Sequence, residues 1–184
     1  MKEIRVKDIM VPVEEYATVH KDSSMADAVY ALEEAQKAFD VSRERHRAIL
    51  VYDNNKKIVG KLSQRDVIKS LEPKYDSLGD LRSVSRSGFS PEFIKSMLEK
   101  HNLWVDDLET LCHRVAKMKV KEAMYVPTEG EKIEEDATFG KALHMFIIGH
   151  HQSLLVTRVE DIVGILRLVD VFKLVCERIK ACRI

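Results

Sequence analysis

The chain repeats itself. Val6-Lys7-Asp8-Ile9-Met10 recurs as Val120-Lys121-Glu122-Ala123-Met124, an offset of 114 from Met10 to Met124. A sequence that carries one supersecondary unit twice folds as two packed copies of that unit, which constrains the architecture more than any composition does. The offset persists downstream, where Val19, Asp22, Ala28 and Val29 fall on Ile133, Asp136, Ala142 and Leu143. It then shortens to 104, with Ile58-Val59-Gly60 on Ile162-Val163-Gly164, Asp66 on Asp170 and Lys69 on Lys173. The first copy therefore holds about ten extra residues around Lys37 to Arg47.

Each copy reads as strand, helix, strand, turn, strand, helix. Ser23 or Ser24 can cap a helix whose apolar positions Met25, Ala28, Val29, Leu32 and Phe39 keep helical spacing, and Phe139, Ala142, Leu143 and Phe146 repeat the pattern. Ala48 to Tyr52 and Lys57 to Gly60 flank Asp53-Asn54-Asn55, a hairpin turn in which Asn and Asp tolerate positive φ. In the second copy Leu154-Leu155-Val156 joins Ile162-Val163-Gly164 through Arg158 to Asp161. A helix then closes each copy, from about Asp66 to Leu71 and from Asp170 to about Cys182.

Two copies with a leading Ile-Met-type segment, a helix, a hairpin and a Gly-x-x-Ser/Thr-x-x-Asp corner resemble a tandem pair of CBS domains, the Bateman module. Gly60-Lys61-Leu62-Ser63-Gln64-Arg65-Asp66 matches that corner at its three defining positions. The second corner, Gly164 to Asp170, keeps Gly and Asp but carries Arg167 where a small hydroxyl is expected. The resemblance divides the chain into a first CBS domain at 1–71, a loop and helical insert at 72–118, and a second CBS domain at 119–184. It implies an α/β fold with pseudo-twofold symmetry, an adenosine-containing ligand (AMP, ADP, ATP or S-adenosylmethionine) in the cleft between the copies, no further cofactor, and frequent pairing into homodimers.

The chemistry of the first corner is consistent with this without requiring it. Gly60 permits close approach of another backbone, and Ser63 stands where the next helix begins, able to cap its free N–H groups or to meet a phosphate. Asp66, in the first turn, can accept hydrogen bonds from vicinal ribose hydroxyls, or it can simply complete a cap with Ser63. Arg43, Arg45, His46 and Arg47 precede the strand from Ala48, and Lys61 and Arg65 lie within the corner, so cations for a phosphate are at hand. In nucleotide-sensing members of the family a His-Arg pair before this strand faces the phosphates, and His46-Arg47 is similar but one residue further from the hairpin acid Asp53; a solvated basic run is the alternative. His150-His151-Gln152 occupies the matching place in the second copy. The resemblance also sets Val11 and Tyr125 near the adenine ring, although core or surface packing accounts equally for Tyr125. At the second corner Arg167 has two options: pairing with Asp170 three residues on, which fills the cleft, or swinging out to clamp a phosphate.

Other function classes fit poorly. With 30 Lys+Arg against 30 Asp+Glu the chain lacks the basic excess of a non-specific nucleic-acid binder. Its longest apolar run, near Met145 to Ile148, is far short of the roughly 20 residues that span a bilayer. Three cysteines without CxxC spacing, and no apolar segment near Met1, point to a reducing cytoplasm. His144, His150 and His151 lack thiolate or HExxH company, so no metal site is expected, and no catalytic constellation is found.

In the insert, Glu72 to Gly88 reads as an exposed loop, and Ser90-Pro91-Glu92 starts a helix with one apolar face at Phe93, Ile94, Met97 and Leu98. A second apolar face runs through Trp104, Leu108, Leu111, Cys112, Val115 and Met118. Asp106, Asp107 and Glu109 disfavour a DNA-recognition helix there. This leaves packing against the module, or a dimer or effector face. The expectation is therefore a nucleotide-responsive regulatory module, dimeric through this insert and Val171, Phe172, Val175 and Ile179, acting on an effector still to be identified; a ligand-free interaction or structural module is the competing class, and a DNA-binding regulator a weaker third.

Overall fold

A computed structural model describes residues 3–38, 47–78 and 88–182 of the chain. Each copy builds one small sheet covered by its helices. In the first, β2 (Thr18–His20) runs parallel to β3 (Ala48–Tyr52), and β3 pairs antiparallel with β4 (Ile58–Ser63). Helix α1 (Met25–Ala38) crosses between β2 and β3, and α2 (Gln64–Ser70) follows β4. The second copy repeats this with β5 (Lys132–Glu134), β6 (Ser153–Arg158) and β7 (Asp161–Arg167), a crossover helix α6 (Phe139–Gly149) and a closing helix α7 (Leu168–Ala181). Between them lie α3 (Pro91–Lys100), α4 (Leu108–Lys117) and the short α5 (Val120–Ala123).

Local chemistry explains the helix starts. Ser24 and Asp27 form a reciprocal cap before α1, with Asp27 N donating to Ser24 Oγ at 3.1 Å and Ser24 N to Asp27 Oδ2 at 3.0 Å. Thr138 caps α6 and Asp107 caps α4. The first hairpin departs from the sequence expectation: positive φ falls at Lys56 (59°), because Asp53 Oδ1 accepts from Asn55 N and Lys57 N and so shapes the turn from its first residue. In the second, shorter hairpin the left-handed residue is Val159. That one-residue difference makes β3 and β6 correspond at an offset of 105 (Leu50 to Leu155), while β4 and β7 keep 104 (Lys61 to Ile165).

The sequence boundaries at 71 and 119 are not the packing boundaries. The leading segments are exchanged: β1 (Val11–Pro12) joins β7 of the second sheet, and Val6 N donates to Ala137 O at 3.0 Å. In the same way Val120 N donates to Ser23 O at 3.0 Å, and Tyr125 exchanges both backbone bonds with Lys61. Even the ion pairs match, Lys7 with Asp136 at 2.6 Å and Lys121 with Asp22 at 2.8 Å. Val6, Ile9 and Met10 accordingly lie in a core with Ile133, Ala142, Phe146, Leu154 and Leu166, while Val115, Val120 and Met124 lie in one with Met25, Ala28, Ile49 and Leu62. A third cluster, Val11, Tyr16, Leu50, Leu155 and Ile165, joins the two sheets. Each fully buried aliphatic side chain there contributes about 1.5 to 3 kcal/mol.

The insert is partly core. Leu111 and Val115 of α4 are buried against the first copy, whereas α3 buries none of its side chains. Where an exposed loop was expected, Glu72 is buried and Pro73–Leu78 forms a 3-10 helix; the rest of that stretch, 79–87, lies outside the described residues. Glu72 accepts from Trp104 N at 2.8 Å and Lys74 N at 3.3 Å, and Arg114 donates to Leu71 O at 3.0 Å, so the insert is clamped to the end of α2. Trp104 itself precedes α4 in a left-handed conformation (φ 59°) rather than continuing its apolar face.

Candidate functional site

Strand alternation decides which side chains face the space between the copies. Leu62 and Leu166 point into the helix-covered cores, so Lys61 and Ser63 on β4, and Ile165 and Arg167 on β7, point towards the partner copy.

At the first corner Ser63 and Asp66 form a complete capping box. Asp66 N donates to Ser63 Oγ at 3.3 Å, and Asp66 Oδ2 accepts from Ser63 N at 2.8 Å and Ser63 Oγ at 2.6 Å. Among the described residues Asp66 Oδ1 accepts no hydrogen bond, and the side chain is half-buried. Gly60 serves chain packing: a Cβ there would lie 2.9 Å from Tyr125 O and 3.0 Å from Met124 Sδ. Gly164 repeats this against Val11 O and Met10 Sδ, both at 2.8 Å. The glycine of the motif is therefore demanded by the exchanged leading segment.

The second corner is built differently. Arg167 makes no capping bond to α7; it forks onto Asp170, Nε to Oδ2 at 2.5 Å and Nη2 to Oδ1 at 2.6 Å. Both carboxylate oxygens are engaged, and the two side chains are 6% and 16% exposed. Of the two options open from sequence, pairing with the acid is the observed one. Tyr16 packs beside the pair; burial pushes its hydroxyl up to about 12, against the opposing pull of the Arg167 charge.

Lys61 and Tyr125 are brought together, but in a setting the sequence reading did not foresee. Lys61 Nζ lies 3.4 Å from Glu131 Oε1 and 3.4 Å from Ser153 Oγ, with the Tyr125 ring 5.5 Å below it. Tyr125 Oη donates to Glu131 Oε2 at 2.5 Å, Thr128 N donates to the same oxygen at 3.3 Å, and His151 Nδ1 stands 3.8 Å from Oε1. Burial works to raise the Glu131 carboxyl; the Tyr125 hydroxyl, Lys61 and Thr128 N outweigh it and hold the group below its ordinary value. His151 is placed by the left-handed His150 (φ 51°), which folds its ring back over Gly149, where a side chain would collide. Lys61 is thus engaged within the protein, not open to a phosphate as expected. Glu131 and Ser153 escaped the sequence reading, although Glu131 standing where the first copy has Ala17 was the available signal; His151 was singled out there, but without this partner.

The remaining candidates are more dispersed. Arg65 is exposed on α2; Arg47 is exposed at the start of β3, its carbonyl accepting from Gln64 N at 3.0 Å. His46 lies outside the described residues. Val11, expected near a base, is fully buried in the inter-sheet cluster, and Val171, expected on a dimer face, is core, while Phe172 and Ile179 are exposed. Among the described residues no group of three or more His, Cys, Asp and Glu gathers to hold a metal, and no helix is long and apolar enough to cross a membrane.

Comparison with known proteins places this geometry. Residues 6–73 match the family model of the CBS domain. No curated protein matches the chain. Among solved structures it is similar to a CBS domain-containing protein from Bacillus anthracis, with 21% identity over 95% of this chain and 94% of that one at a TM-score of 0.63. CBSX2, solved in complex with AMP, is 19% identical over 96% and 98% of the two chains at 0.57. A putative acetoin utilization protein from Vibrio cholerae is 16% identical over 97% and 95% at 0.59. Residues 6–73 thus match the CBS domain, and along nearly its whole length the chain has the fold of solved CBS-domain proteins.

Proposed function

We propose that the protein is a regulatory module, not an enzyme, which binds an adenosine-containing ligand (AMP, ADP, ATP or S-adenosylmethionine) at the first corner. The observation that carries this is the contrast between the two ribose-competent carboxylates. Asp66 spends one oxygen on its cap and keeps the other, whereas Asp170 has both engaged by Arg167. A half-buried carboxylate at a helix start, beside a small hydroxyl, suits a pair of ribose hydroxyls, and charged hydrogen bonds of that kind are worth about 1.5 to 3 kcal/mol. That CBSX2 was solved with AMP supports the ligand class. Gly60, Ser63 and Asp66 form the principal site, with Arg47, Arg65 and, on the sequence pattern alone, His46 offered as further cations for its phosphates, and Tyr125 assigned to the adenine end. The module acts as a cytoplasmic homodimer on an effector still to be identified, with the insert as a dimer or effector-docking face.

A second reading, a ligand-free interaction module, is favoured by the capping box, which is complete without any ligand. A calorimetric panel of AMP, ADP, ATP and S-adenosylmethionine separates the two. Binding of at least one of them, weakened tenfold or more (about 1.4 kcal/mol) by Asp66→Ala in a folded variant, is the expected result. No binding by any of the four, or affinity unchanged in Asp66→Ala, overturns the assignment. Sedimentation at tens of micromolar tests the dimer, a monomer counting against it.

A further inference from the structure

The polar cluster between the copies is not required by the fold. Across the pseudo-twofold Lys61 corresponds to Ile165, Tyr125 to Val11, Glu131 to Ala17 and Ser153 to Ala48, and those counterparts pack without charge. A buried Lys–Glu pair is costly to desolvate and is repaid only by close geometry. Here the geometry is uneven. Glu131 Oε2 is held by the Tyr125 hydroxyl at 2.5 Å and by Thr128 N, independently of any cation. Lys61 meets its two acceptors at 3.4 Å, beyond the usual range for such bonds, with its side chain 13% exposed. Lys61 is therefore the loosely held member, and it shares the cleft-facing side of β4 with Ser63.

We propose that Glu131 occupies, in the ligand-free protein, the place beside Lys61 and His151 that an anionic group takes when ligand enters the first cleft, so that binding exchanges one anion for another. The group is a phosphoryl of a nucleotide, and the inference rests on the reading of the first corner as an adenosine site. Lys61 turns from the carboxylate to the phosphoryl while Glu131 keeps its bonds to Tyr125 and Thr128. The cost of separating Lys61 from Glu131, which stays beside the incoming charge, lowers the affinity for a phosphorylated ligand; an uncharged nucleoside does not incur it.

Adenosine and AMP, titrated calorimetrically into the wild-type chain, Glu131→Gln and Lys61→Met, test this. Glu131→Gln, which retains polar partners for Tyr125 and Thr128, is expected to bind AMP at least tenfold more tightly with adenosine changed less than twofold. Lys61→Met is expected to reduce AMP affinity towards that for adenosine. An AMP-to-adenosine affinity ratio equal in all three proteins, or lowered in Glu131→Gln, overturns the exchange. If wild-type protein binds neither compound, the adenosine site itself fails, and the exchange with it.

Discussion

The Arg167–Asp170 pair makes an asymmetric prediction about stability. Two unit charges about 4 Å apart attract by about 4 kcal/mol at an effective dielectric near 20, a gain that desolvation of both groups largely offsets. Removing one partner alone is therefore costly in proportion to how buried and uncompensated the other becomes. Asp170→Asn leaves a guanidinium that is 6% exposed facing Tyr16 and a neutral amide, a change expected to cost about 3 to 5 kcal/mol. Arg167→Met, similar in length, leaves Asp170 16% exposed in the first turn of α7, where the helix dipole supports a negative charge. Its expected cost is smaller, about 1 to 2 kcal/mol, and the double variant should return to within about 1 kcal/mol of wild type. With a urea slope of about 2 kcal/mol/M, Asp170→Asn lowers the midpoint by roughly 1.5 to 2.5 M, readable by far-UV circular dichroism provided the transition stays single and the slope constant. Equal costs for the two single variants, a reversed order, or a double variant as unstable as the sum of the singles would refute the reasoning.

Further outcomes are expected. Arg167→Thr restores a Gly-x-x-Thr-x-x-Asp corner and frees Asp170; ligand stoichiometry by calorimetry should rise from one to two per chain, and a value unchanged at one rejects the closed-cleft account. Gly60→Ala and Gly164→Ala drive a Cβ to within 3.0 Å of the exchanged backbone and should each cost about 1 to 3 kcal/mol in urea unfolding, against little effect from Gly140→Ala, whose Cβ would meet nothing within 4 Å. Tyr16 holds its proton to about pH 12 in the folded state but to about 10 when unfolded, so the stability it contributes is whole below pH 10 and lost as pH rises through 12. Tyr16→Phe should flatten the alkaline fall in unfolding midpoint over that range; an unchanged slope contradicts it. Val115→Ala should destabilise the whole module by about 1 to 3 kcal/mol in one cooperative transition, since this insert residue is core, and a separate early transition would contradict that.

Much of the fold was legible because repetition and periodicity are one-dimensional signals: Ser24 before Met25, the Asp53 turn and the two corner glycines stand where the chain marks them. The exchange of leading segments was not legible. Val6 and Val120 occupy equivalent places in both copies, and equivalence cannot say on which sheet each lies, since identical contacts result either way. Lys61 looked like a phosphate ligand because its partner, Glu131, is 70 residues away in a stretch without a motif. The roles of Ser63 and Arg167 were readable as chemical alternatives from spacing alone. Choosing between them needed side-chain positions, because three residues along a helix start place a cation and an acid within reach without obliging them to meet.

The crossed leading segments also mean that neither copy is a self-sufficient piece. Cutting the chain at Gly88 leaves an N-terminal fragment without Val115, Val120 and Met124 in its core, and a C-terminal fragment without Val6 and the β1 edge. Each fragment alone exposes a strand edge and an apolar slot shaped for the other's leading segment. Mixed together, they have every contact needed to reassemble, so the module is a natural candidate for split-reporter use: its halves are incomplete apart and clasped when joined. By the same geometry, two copies of one fragment can offer each other the segment that each lacks, a route by which a single ancestral copy could have been stable as a pair before duplication joined it into one chain.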